Sequence, residues 1–131
     1  MIDIPEERIL KEITDILMND LPKVLLELEE QSEDSIRLPP FRYVGLEENL
    51  PPGTSLPYAF VEIEEGTNNI KDRIINNVIY KLQVIFTPAT PRTIWYYTSA
   101  IITVIKNSEK DYIVNIEKKS KDGVIVFKVK K

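Results

Sequence analysis

The sequence predicts an α+β fold: one mainly antiparallel sheet of about four main strands with two helices packed on one face, in the order α-β-β-α-β-β. Three observations predict it. Val78, Tyr80, Leu82, Val84 and Phe86 alternate with Ile79, Lys81, Gln83, Ile85 and Thr87, the period of a strand with two unlike faces. Pro88 and Pro91 then stop the ladder, because proline has no N–H to donate. Beyond them the period becomes helical. Ile94, Thr98, Ile101, Ile102 and Ile105 share a stripe with Trp95 at its edge, while Arg92, Tyr96, Ser99, Thr103 and Lys106 face away. The stretch from Arg73 to Lys106 is therefore a strand feeding an amphipathic helix, and the remaining elements cover or extend that pair.

In chain order, Asp3 and Glu6 have the spacing of a capping box, and Pro5 suits a first helical turn. Ile9, Ile13, Ile16 and Leu17 mark a helix whose apolar stripe runs on through Leu21, Val24 and Leu28, across Pro22. Because the stripe keeps its phase, the expectation is one kinked helix to about Glu30. Leu25 and Leu26 lie off that stripe, either roofed by the following loop or exposed to a partner. Residues 31–57 hold five of the nine prolines and read as a connection, with Phe41–Val44 as one short strand. Proline stiffness, rather than hydrogen bonding, is expected to shape it.

Tyr58–Glu64 is a strand with Ala59, Val61 and Ile63 on one face. The turn-prone Gly66, Asn68 and Asn69 lead back into the central strand as an antiparallel hairpin, and this arm either reaches toward a neighbouring subunit or is an ordinary loop. Asn107–Ser108–Glu109 ends the second helix. Tyr112–Glu117 and Val124–Val129 form a closing hairpin across Lys118–Gly123, where Asp122–Gly123 is a tight-turn pair. The 131 residues make a single domain: an N-terminal helix (1–30), a Pro-rich connection (31–57) and a hairpin–helix–hairpin core (58–131).

Composition narrows the chemistry. With no cysteine or histidine, thiolate nucleophiles, zinc–thiolate sites, imidazole bases and disulfides are excluded. Four unclustered glycines leave no phosphate-cradling loop. The acidic run Glu27, Glu29, Glu30, Glu33 and Asp34 reads as a solvated helix end, since a hard cation needs several converging oxygens. Glu62 and Glu64 share a strand face, as paired catalytic carboxylates do, but nothing marks a cleft around them. No catalytic, cofactor-binding or metal-binding residue is assigned, and an enzyme reading has no positive feature behind it.

The net charge of −4 is unevenly laid out. Residues 1–65 carry sixteen Asp/Glu against five Lys/Arg, a net of −11; residues 66–131 carry five against twelve, a net of +7. The two halves are expected to interdigitate in one fold, so that the imbalance need not make two poles; if poles do form, copies can associate head to tail, acidic patch on basic patch. Scattered solvated charge is the alternative. The C-terminal hairpin concentrates Lys118, Lys119, Lys121, Lys128, Lys130 and Lys131. Lysines there guard an exposed edge, meet another subunit or contact a phosphate backbone. Only Phe127 is available for base stacking, against a single-strand binder. No stretch has the roughly eighteen apolar residues of a membrane span, and MIDIPEERI lacks a signal peptide's basic-then-apolar pattern. The chain reads as soluble and cytosolic, with no membrane partner.

This order of elements, with LPPFRYVG after the first helix, LPYAFVEIE opening the main hairpin and VIYKLQVIF as the long strand, resembles the tail terminator (minor tail, or tail completion) proteins of long-tailed bacteriophages and prophages. The likeness spans nearly the whole chain and rests on element order, length and these loose signatures. It implies a non-enzymatic structural protein acting as a ring, typically a hexamer, that caps the tail tube and offers a surface to the head–tail connector, with DNA crossing the lumen. Such a protein works in the bacterial cytoplasm during assembly and ends in the virion. The family supplies no catalytic residue to carry over. From this sequence, the interface candidates are Leu25, Leu26, Asn68, Asn69, Lys118, Lys119 and Lys121. Another neck or connector protein, or a small nucleic-acid-binding module using the C-terminal lysines, is the competing reading.

Overall fold

A computed structural model describes residues 2–65 and 79–130. Its elements are α1 (Pro5–Asn19), α2 (Leu21–Gln31), β1 (Val44–Gly45), β2 (Tyr58–Glu65), β3 (Ile79–Thr87), α3 (Ile94–Asn107), β4 (Ile113–Lys119) and β5 (Val124–Lys130). The strands form one five-stranded sheet in the order β1-β2-β3-β5-β4. Every pairing is antiparallel except that of β1 with β2. The fold is α+β, as expected, with the short strand β1 joining the four main strands in one sheet and one more helix than the sequence suggested.

The first helix is divided where a single kinked one was expected. Asp20 still bonds through its N–H to Ile16 O at 2.9 Å, but Pro22 has no N–H to offer the carbonyl of Met18. The chain therefore restarts as α2 at Leu21, with proline in the first turn. Leu17, Leu21 and Leu25, spaced by four, all lie in the core, whereas Val24 and Leu28 are only half-buried. The expected capping box does not form either. Ile4 occupies the cap position without a side-chain bond, and Asp3 reaches Arg8 at 3.2 Å instead. Pro5 begins the helix as anticipated.

The sheet's inner side is built from Ala59, Val61, Leu82, Val84, Phe86, Ile125, Phe127 and Val129, each essentially inaccessible. These residues share one core with Ile9, Ile13, Leu17 and Leu21 of the first two helices and with Tyr97, Ala100, Ile101, Val104 and Ile105 of α3. Burying a large aliphatic or aromatic side chain of this kind stabilises by about 1.5–3 kcal/mol. The α3 stripe is broader than expected, since Tyr97, Ala100 and Val104 join it. At its end Glu109 takes a positive φ of 53°, and its N–H bonds to Lys106 O at 3.2 Å.

The Pro-rich segment is shaped by hydrogen bonds and burial, contrary to the expectation of stiffness alone. The Leu38 N–H donates to Glu29 Oε1, Tyr97 Oη donates to Pro39 O at 2.6 Å, and the Arg42 N–H donates to Pro57 O at 2.8 Å. Ile36, Leu38, Phe41 and Val44 are buried. The Phe41 ring lies 5.5 Å from that of Tyr97 and 6.1 Å from that of Phe86. The predicted short strand at 41–44 is observed as Val44–Gly45, the parallel partner of Ala59 and Phe60.

Strand order decides where the charges go. In the closing hairpin it is the last strand, β5, that pairs with β3, from Ile79↔Lys130 to Ile85↔Val124, leaving β4 outermost. All of β1 and β2 comes from the acidic half of the sequence, and all of β3, β4 and β5 from the basic half. The halves therefore do not interdigitate in the sheet. They meet there along the single seam between β2 and β3, while α2 packs on α3 in the helical layer.

Candidate interaction surface

Because side chains alternate along each strand, the residues opposite the core set form a second face, which carries no described helix. Its composition changes row by row. The first row runs across four strands as Gly45, Phe60, Ile85 and Val124. Phe60 packs edge-on to Tyr43 at 6.4 Å and against Tyr58 at 5.4 Å. Tyr43, Tyr58, Phe60, Ile85 and Val124 are all half-buried. Tyr43 Oη donates to Leu46 O at 2.5 Å, and desolvation, reinforced by the Glu48 carboxylate, pushes its phenol above the usual range.

The next rows are polar and graded in sign. One runs Glu62, Gln83, Val126, Lys118; the other runs Glu64, Lys81, Lys128, Asn115. Acid lies at the β2 end and base toward β4. In the second row Lys81 and Lys128 face each other directly across neighbouring strands, an unfavourable like-charge pair. Glu117 relieves part of it by approaching Lys81 at 3.6 Å, although so exposed a bridge is worth only about 0–1 kcal/mol.

The gradient continues beyond the strands. Past β1, the 3-10 turn Glu47–Asn49 brings Glu47 and Glu48 beside Glu62, where with Leu46 they line a shallow cleft. From β1 to the end of β2, residues 44–65 include five glutamates and no basic residue. From β4 to the end of β5, residues 113–130 include five lysines against Glu117 and Asp122. The β1–β2 side of the sheet is thus acidic and the β5–β4 side basic.

The interface candidates separate on this frame. Lys118 and Lys119, expected in the turn, extend β4, and both are exposed; Lys121 is exposed in the turn between β4 and β5. Leu26 is exposed on α2. Leu25 is a correction: it is 1 % exposed, buried in the core, because the break at Asp20 sets it in line with Leu17 and Leu21. Asn68 and Asn69, with the reaching arm they were to tip, lie outside the described residues. Lys118 and Lys119 are consecutive on β4, opposite Val126 and Ile125 of β5, so they stand on opposite faces of the sheet.

Sequence reading missed Glu47 and Glu48, hidden within a connection, and Lys81, which meets the already noted Lys128 only through the β3–β5 pairing. The signal was the charge count itself, which needed the strand order before it became a place. Glu29 accepts from the loop, and Glu62 and Glu64 stand over Gln83 and Lys81. Among the described residues no cluster of acidic side chains could hold a metal ion, and no helix is long and apolar enough to cross a membrane. No protein-family model, curated protein or solved structure matches this chain.

Proposed function

We propose that this chain is a structural assembly protein of a phage-type particle, a tail-terminator-like subunit that forms a ring, caps a tail tube and joins it to the head–tail connector. On this reading it acts by binding alone and no residue has a catalytic role. The observation that carries the reading is the second face of the sheet. It holds a half-buried apolar row, Phe60–Ile85–Val124 flanked by Tyr43 and Tyr58, on the side away from the helices. Aromatic and aliphatic residues on a sheet face without helices suit a macromolecular partner. The charged rows beside it supply the polar rim that such contacts have. Ring copies and the tube end are the partners, with DNA passing through the lumen.

Native mass spectrometry of the purified protein over a wide concentration range, with electron microscopy of any large species, tests this. A closed ring, six copies being the expected number, supports it. A symmetric dimer that never grows overturns it. The clustering of Lys81, Lys118, Lys128 and Lys130 around the β3–β5–β4 side favours a second reading, a sequence-blind nucleic-acid module. That reading requires DNA affinity falling steeply with salt, and no binding at low ionic strength removes it.

A further inference from the structure

We infer that the two sheet edges are the self-association surfaces: the β4 edge of one copy docks on the β1–β2 edge of a second copy of this chain. The inference rests on the reading of a self-assembling protein and names the surfaces by which it assembles. Charge complementarity identifies the occupant. Glu47, Glu48, Glu62 and Glu64 line one edge, where they outnumber the nearby Arg42 and Lys11, and Lys118 and Lys119 extend from the other, both exposed.

The same charges dictate the polarity of the contact. A head-to-tail contact sets the glutamates of one copy against the lysines of the next, whereas a contact between two like edges has no such pairing to gain. Charge complementarity therefore favours the head-to-tail arrangement over either two-fold one. Backbone features point the same way. Strand β4 is irregular, with register shifts between Ile113 and Asn115 and between Ile116 and Lys118, so it is a poor template for a continuous ladder. At the other edge β1 covers only Ala59 and Phe60 of β2. The contact is therefore one of side-chain charge at the edges. Being exposed, those charges are screened over about 8 Å at physiological salt, so association weakens as salt rises.

The test uses two full-length variants and their mixture, followed by sedimentation velocity at low salt. Glu47→Lys/Glu48→Lys/Glu62→Lys makes both edges basic, and Lys118→Glu/Lys119→Glu makes both acidic. Each alone is expected to associate at least tenfold more weakly than the wild type, and an equimolar mixture is expected to regain assembly with the variants alternating. Wild-type association should also fall at least tenfold between 0.05 and 0.5 M salt, a readout that needs no variant to fold. Wild-type assemblies that grow head to tail but never close would uphold the edges and sink the ring. Rings that form in each variant as in the wild type would sink the edges and leave the ring standing. A wild type that stays monomeric at millimolar concentration and low salt overturns the inference outright.

Discussion

Two connections return the chain to the sheet, and they are held by different means. Residues 32–57, between α2 and β2, are held largely by side chains: Phe41 packed with Tyr97 and Phe86 in one aromatic cluster, Leu38 buried, and Glu29 and Tyr97 binding the backbone. Residues 120–123, between β4 and β5, are fixed by the backbone itself. Gly123 takes a φ of +83°, and its carbonyl accepts the Phe86 N–H at 2.8 Å, which extends the β3–β5 seam into the turn. The first connection is expected to release separately, taking the two-residue β1 with it while β2, β3, β5 and β4 stay paired. The second cannot, because it belongs to the central strands.

The largest expected effect comes from breaking the first connection. Phe41→Ala removes a ring that is 5 % exposed and packed on two aromatic neighbours, at a cost of about 3–5 kcal/mol. Part of that cost should appear as local release. Limited proteolysis is expected to cut first within 32–57 while the sheet persists by circular dichroism. If cleavage appears only with global unfolding, the segment is not separable and the contrast between the two connections is wrong.

Breaking the second connection should look different. A Cβ at position 123 would stand 2.2 Å from Phe86 O, a backbone atom that cannot swing aside. With the left-handed backbone added, Gly123→Ala is expected to cost about 3 kcal/mol. The loss should be cooperative: a lower thermal midpoint, faster hydrogen exchange throughout β3 and β5, and no cleavage favouring one site. A change confined to the turn would mean that β5 does not need this geometry.

The contrast also explains what was legible in the sequence. Asp122–Gly123 announces its turn because the constraint is local, and the alternation of β3 announces its faces because a strand's period is two. Nothing local announces that Phe41 will find Tyr97 fifty-six positions on. Leu25 was misplaced for a related reason. The stripe was extended in phase across Pro22, whereas the chain restarts there and turns Leu25 into the core against α3. At the proposed interface, the excess of acid in one half and base in the other was visible as counts. Its position depended on β5 rather than β4 pairing with β3, a non-local choice that periodicity does not encode.

The smallest expected effect sharpens the comparison by loosening the first connection without emptying it. Tyr97→Phe keeps the ring stacked on Phe41 and removes only the hydroxyl that donates to Pro39 O, at a cost of about 1–2 kcal/mol. The same hydroxyl makes the segment sensitive to alkali. Burial, and after it the Glu29 carboxylate, raises the Tyr97 phenol above the ordinary value of 10.0. Burial and the hydrogen bond to Glu12 do the same for Tyr112, which ties β4's start to α1. For a phenol raised by folding, the unfolded chain loses its proton first. Stability is therefore fully present below about pH 10 and declines above it, by up to about 1.4 kcal/mol per pH unit for each such group. Denaturant midpoints followed from pH 8 to 11.5 should fall less steeply above pH 10 in Tyr97→Phe than in the wild type, and the remaining slope should shrink again in Tyr112→Phe. If Tyr97→Phe leaves the alkaline slope unchanged, the hydroxyl is not shielded in the folded protein, and the Pro-rich segment is held by its apolar residues alone.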